Sequence, residues 1–276
     1  MKKDIIVSGF SNFGVKKLTP WFNSMKRVGF EGDILCVIYG KNPEMLNAID
    51  FFSKFFNLIV IEGNSTREIV VDRFKDIKNY LLNKKDMYRY VFATDAGDVV
   101  FQLNPSIYVE KKLSKKYKIL CGSESIHYKN ESWGNKNMFD CFPNYYDFMK
   151  EKIIYNAGTI SGEIDTICNL FEDIYFMSSS CLSSPPDQAA FNILIQTKYN
   201  DVCYFSNIED GYATQCNTTA NPRLLAEYGH FLLEKPILKN GIAYNSKMEK
   251  TCLLHQYQNV PIFYEEVIER YNLGVY

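Results

Sequence analysis

The sequence predicts an α/β protein, a Rossmann-like sheet of mostly parallel strands with helices on both faces. Two observations predict it. From residue 4 to residue 94, short runs rich in β-branched and aromatic residues alternate with amphipathic stretches, the pattern of buried strands joined by crossover helices. Hydrophobic residues also make up 46% of the 276-residue chain, enough to fill one sizeable core. We therefore expect a single domain over 1–276.

Taken in order, a strand at 4–8, a helix at 15–28, a strand at 33–39, a helix at 43–54 and a strand at 57–62 open the fold. Over 66–82 the apolar positions Val70, Phe74, Ile77, Tyr80 and Leu81 recur at helical spacing, and a strand at 90–94 follows. Ligands of such sheets gather at the carboxyl ends of the strands. Beyond Asn104-Pro105 the pattern coarsens to a helix at 106–113, a strand at 117–122 and a polar, aromatic loop over 124–146 that contains Trp133-Gly134. Loops of that length usually carry function or are mobile. A strand at 153–161, a helix at 163–177, a turn over 183–186 and a helix at 187–197 come next, with Pro186 opening the last helix and Asp187 in its first turn. Strands at 202–205 and 251–254 and a helix at 262–271 complete the chain. No internal repeat, low-complexity tract or linker interrupts it.

Charge and cysteine usage exclude whole classes of function. Lysine and arginine number 31 against 32 acidic residues, so no general field draws the chain to nucleic acid. The densest basic cluster, Lys111, Lys112, Lys115 and Lys116, reads as the wet face of a short helix. The eight cysteines show neither a C-x-x-C pair nor metal-finger spacing and read as reduced core residues. The apolar run after Met1-Lys2-Lys3-Asp4 is too short for a signal peptide, and no segment reaches the length of a transmembrane span. A soluble, cytoplasmic protein is expected, in which the sequons at Asn64, Asn130 and Asn217 arise by chance.

The most telling stretch is Asp95-Ala96-Gly97-Asp98, which closes one apolar run and opens another. Side chains alternate along a strand, so the two acids converge only through a turn, and Gly97 permits one. Two hard oxygen ligands at a strand's carboxyl end suit Mg²⁺ or Mn²⁺ carrying a diphosphate. A turn with solvated acids is the plain alternative. Three further polar signals stand at strand or helix ends: Asn156-Ala157-Gly158, Asp187-Gln188 and His255-Gln256-Tyr257.

In this order and spacing the four segments resemble the GT-A fold glycosyltransferases, in particular the glycogenin-like and bacterial galactosyltransferase-like retaining group, over roughly residues 5–257. The resemblance implies a nucleotide-binding half over 1–104 and an acceptor-side half over 105–276. It also implies a donor that is a nucleotide-diphosphate sugar, a UDP-sugar by expectation, and a glycan, lipid-linked or protein acceptor. The family's D-x-D motif is here D-x-x-D, with Asp98 the firmer metal ligand and Asp95 on the metal, the donor's ribose or both. His255 is implied as the third ligand, shifting the preference toward Mn²⁺. Asn156, Asp187 and Gln188 are implied at the sugar and its anomeric carbon, Gly158 as space for the ring, Arg73 near the donor, and Ser8 and Gly9 beside the base and ribose. No free pair of carboxylates remains to act as in glycosidases, and the resemblance implies retention with the leaving phosphate taking the acceptor's proton. Two other readings stand beside this one. The first is a sugar-nucleotide binding protein that has lost catalysis, suggested by the altered spacing. The second is an NAD(P)-dependent oxidoreductase, suggested by Gly9 and Gly14 after the first strand, although the central glycine of G-x-G-x-x-G is absent.

Overall fold

The computed structural model describes residues 2–66, 68–181 and 185–272. The chain runs through β1 (Lys3–Phe10), α1 (Val15–Arg27), β2 (Asp33–Ile38), α2 (Pro43–Ser53), β3 (Leu58–Glu62), α3 (Ile69–Leu82), β4 (Tyr88–Thr94), β5 (Val99–Phe101) and α4 (Pro105–Lys112). It continues through β6 (Ile119–His127), α5 (Ser132–Cys141), α6 (Pro143–Met149), β7 (Ile153–Glu163), α7 (Ile164–Ser178), α8 (Asp187–Gln196) and β8 (Cys203–Ser206). It ends with β9 (Ala213–Gln215), α9 (Cys216–Ala220), α10 (Pro222–Tyr228), β10 (Ile237–Lys239), β11 (Ile242–Tyr244), β12 (Leu253–His255) and α11 (Pro261–Asn272).

Seven strands form the central sheet in the order β3-β2-β1-β4-β7-β6-β8. Every neighbouring pair is parallel except the two made by β7, which runs against both β4 and β6. Alternation along the strands feeds two cores. Ile5 and Val7, Leu35 and Val37, and Val91 and Ala93 pack with Phe74 of α3 and Phe171 of α7. The residues between them, Ile6, Cys36 and Phe92, join Trp21 and Phe22 of α1 and Phe52 of α2. Both faces are therefore buried, which explains why these strands are nearly continuous apolar runs. Since β4 and β6 share β7, the two halves of the chain belong to one sheet.

A second sheet, in the order β5-β12-β9, adjoins the end of β4. β12 pairs antiparallel with β5 and parallel with β9, and its last residue, His255, registers with Val99 and Gln215. His255 thus lies inside the strand, one residue beyond the expected span.

The segment expected as a long loop over 124–146 is ordered instead. β6 extends to His127, a short 3₁₀ turn follows, and α5 and α6 fill the rest. Glu131 caps α5 by accepting from the N–H groups of Trp133 and Gly134 at 3.2 and 2.5 Å, and Pro143 opens α6. Tyr128, Met138 and Met149 bury against Ala189 and Ile193 of α8. Aromatic and asparagine residues have weak helix propensity, and tertiary burial overrides it here. β9, α9, α10 and the β10–β11 hairpin were not anticipated. The expected turn at 183–186 falls partly on residues 182–184, outside the described ones. Among the described residues no helix is long and apolar enough to cross a membrane.

Candidate functional site

β4 delivers Thr94 to the edge of the sheet, and the chain turns at once. The Asp98 N–H donates to the Asp95 carbonyl at 3.3 Å, with Gly97 at φ +80°, a conformation that costs glycine little. Ser8 locks this turn to β1: its hydroxyl donates to the Thr94 carbonyl at 2.6 Å and accepts from the Ala96 N–H at 2.9 Å. The Ser8 side chain is buried and committed to the turn, whereas it was expected to face a nucleotide. Its neighbour Gly9 does line a cavity of about 190 Å³, together with Ser11, Phe13, Arg73, Asp95 and Asp98.

Arg73 of α3 reaches between two acids. Its guanidinium donates to Asp95 Oδ1 and lies 3.4 Å from Asp187 Oδ2 at the start of α8. The two carboxylates respond oppositely. Burial would raise Asp95, but the Arg73 guanidinium and the His255 ring outweigh it and hold the carboxyl well below the usual carboxylate range. For Asp187 burial wins over Arg73, Asp95 adds repulsion, and the pKa is pushed up to about 6. Burial likewise opposes the charge on Arg73, but the two acids raise its pKa. Its Nε is buried and, among the described residues, completes no hydrogen bond.

His255, 1% exposed, lies across the turn from these groups. Its Nδ1 is 2.7 Å from Gln215 Oε1, and the Gln215 amide is oriented by donating through Nε2 to Thr159 Oγ1 at 2.9 Å. Gln215 therefore accepts from Nδ1–H, and Nε2 is left facing Asp95 Oδ2 at 3.6 Å. This outer support is what a ligating imidazole requires. Nε2 is buried and completes no hydrogen bond among the described residues. Gly158 of β7 makes room for the pair: a Cβ there would fall 2.6 Å from Asp95 Oδ2 and 2.8 Å from His255 Cε1.

Asp98 stands apart from this pair, bound at 2.6 Å to Lys17 of α1. Among the described residues no three histidine, cysteine, aspartate or glutamate side chains form a group that holds a metal. Asp95 and His255 offer two groups suited to a metal, a carboxylate held ionised and an imidazole whose Nε2 faces it. The third expected ligand is engaged by a lysine.

Asn156 and Gln188 meet at a residue that sequence reasoning missed. Glu124 of β6, 5% exposed, accepts from Asn156 Nδ2 at 2.8 Å and Gln188 Nε2 at 3.1 Å through one oxygen. Its other oxygen accepts from the Thr218 hydroxyl at 2.7 Å. The Asn156 Oδ1 in turn accepts from the Gly158 N–H at 2.7 Å. The one available signal was a carboxylate inside the strand-like run Ile119 to Ile126, a position that costs stability unless donors compensate it. Gln215 and Lys17 gave no such signal.

The structure thus gathers Arg73, Asp95, Asn156, Gly158, Asp187, Gln188 and His255 at one edge of the sheet, with Gly9 lining its cavity, Asp98 turned to Lys17 and Ser8 beneath. No family model matches the chain, and no curated protein matches it.

Proposed function

We propose that the chain is a metal-dependent glycosyltransferase of GT-A type, moving a sugar from a nucleotide-diphosphate sugar, a UDP-sugar in this reading, to an acceptor hydroxyl with retention. The observation that supports it is the meeting of Asp95, Asn156–Gly158, Asp187–Gln188 and His255, four segments far apart in sequence, at the carboxyl edge of the parallel strands.

Asp95 and His255 would hold the metal, joined by Asp98 on release from Lys17. Bound there, Mn²⁺ or Mg²⁺ supplies Lewis-acid stabilisation to the departing diphosphate. The chain's own residues do the rest. Arg73 keeps Asp95 ionised and places a buried guanidinium beside the nucleotide cavity. Asp187, ionised above pH 6, accepts from sugar hydroxyls and offsets positive charge developing at the anomeric carbon. Glu124 fixes the amides of Asn156 and Gln188, so their orientation is set before a sugar arrives. With Glu124 already accepting three hydrogen bonds, the leaving phosphate takes the acceptor's proton.

A panel of nucleotide sugars, each tested with Mn²⁺ by thermal shift and by release of nucleoside diphosphate, tests this reading. One donor is expected to raise the melting temperature, by about 2.7 kcal/mol of stabilisation at a hundredfold excess over Kd, and to turn over only with metal. The Lys17–Asp98 pair favours a second reading, binding without transfer. Stabilisation by a donor with no turnover on any acceptor would select it, and no response to any donor would end both.

A further inference from the structure

Beyond Asn156 and Gln188 opens a cavity of about 390 Å³ whose lining includes Glu124, Glu131, Trp133, Asn217, Tyr228 and Gln256. Its chemistry is uneven. Trp133 on α5 is 51% exposed, a broad apolar plane at the mouth, while Asn217, Thr218 and Gln256 offer neutral donors and acceptors. Tyr228, 2% exposed, keeps a buried hydroxyl that completes no hydrogen bond among the described residues. Two buried carboxylates, Glu124 and Glu131, face the space, and burial followed by repulsion from Glu124 raises the pKa of Glu131. No lysine, arginine or histidine is among the described lining residues.

We propose that this cavity is the acceptor site, and that it takes the hydroxyl-bearing end of an uncharged sugar while rejecting phosphorylated or carboxylated ones. The proposal rests on the transferase reading above. An aromatic plane with neutral hydrogen-bonding groups matches the two faces of a pyranose, one of C–H groups and one of hydroxyls. An anionic group would enter beside two carboxylates with no cation to meet it, and like charges repel strongly where water is excluded. Glu124 joins this cavity to the donor side: it holds Asn156 and Gln188 through one oxygen and Thr218 through the other. An acceptor hydroxyl seated here therefore lies next to the residues proposed at the anomeric carbon.

The chain has two tryptophans, and Trp21 is fully buried, so Trp133 fluorescence reports sugar binding without metal or donor. Glucose, lactose and N-acetylglucosamine are expected to change it saturably at millimolar concentration, with glucose 6-phosphate and glucuronate at least tenfold weaker than glucose. Ser132→Lys, which adds a cation at the exposed rim, is expected to cut that discrimination to threefold or less. Equal or tighter binding of the anionic sugars, or no response to any uncharged one, overturns the proposal. So does a Trp133→Ala enzyme that transfers with an unchanged acceptor KM, a result that leaves the transferase reading intact. Selective binding of uncharged sugars by a protein that turns over no nucleotide sugar does the reverse, supporting a sugar site while removing the transferase.

Discussion

The Lys17 ammonium lies 2.6 Å from Asp98 Oδ1, and the lysine stem crosses Gly97 so closely that a Cβ there would meet Cε at 2.8 Å. Lys17 is thus an internal cation at the place where a divalent ion is proposed. Both side chains are partly exposed, at 43% and 29%, so the pair contributes about 1 kcal/mol or less. Lys17→Met is therefore expected to tighten Mn²⁺ binding by up to about fivefold, read by calorimetric titration with the metal alone. Unchanged or weaker binding would remove Asp98 from the ligand set.

Gln215 fixes which nitrogen of His255 faces Asp95. Replacing it with methionine keeps much of the volume but removes the acceptor, and Mn²⁺ affinity is expected to fall about 10–100-fold. Stability is expected to drop by about 1–3 kcal/mol, because Nδ1–H and the Thr159 hydroxyl lose a buried partner. A full-strength metal titration in a folded variant would argue that His255 only packs.

Gly158→Ala probes space alone, since the methyl would lie 2.6 Å from Asp95 Oδ2. Overpacking of this kind costs about 1–3 kcal/mol of stability. Displacement of the acid by even an ångström is expected to lower donor turnover about 100-fold. A variant that keeps more than a tenth of wild-type kcat/KM would show that the gap between β7 and the turn is not part of the site.

Asp187 gives a pH dependence with a definite sign. Its folded-state pKa of about 6 lies above the ordinary aspartate value of 3.8, so the native protein binds the extra proton between those values. The contribution to stability is fully present below about pH 4 and lost as pH rises through 6, amounting to roughly 3 kcal/mol for this 89%-buried side chain. Asp187→Asn is expected to be more stable than wild type by up to that amount at pH 8, and no more stable at pH 4, in urea unfolding. The wild-type donor kcat/KM is expected to rise through pH 6, and the asparagine variant to lose that limb. Equal stability at both pH values would contradict the assigned ionisation.

The alternating half of the fold was legible because β1, β2 and β4 are buried on both faces, which leaves unbroken apolar runs between amphipathic helices. The reversal of β7 was not, because Ile153 to Glu163 carries the same pattern read in either direction. α5 hid behind Trp133-Gly134 and its asparagines, and only the Glu131 cap and burial against α8 make it a helix. Within the site, residues that close a motif were visible, and residues that hold a motif in place were not. Glu124 acquires its role only when β6 lies beside β7 and Thr218 comes near, while Gln215 meets His255 only in the second sheet.

That second sheet joins three stretches, 99–101, 213–215 and 253–255, separated by most of the chain's length. Ordering such distant pieces is entropically slow, since remote pairings reward the chain only after long loops have closed. The imidazole is therefore expected to reach Asp95 late in folding, after the central strands have assembled. In stopped-flow refolding, backbone ellipticity is expected to recover before the capacity to bind Mn²⁺, so that on the proposed reading a partly folded chain would be blind to an ion that the finished protein would capture.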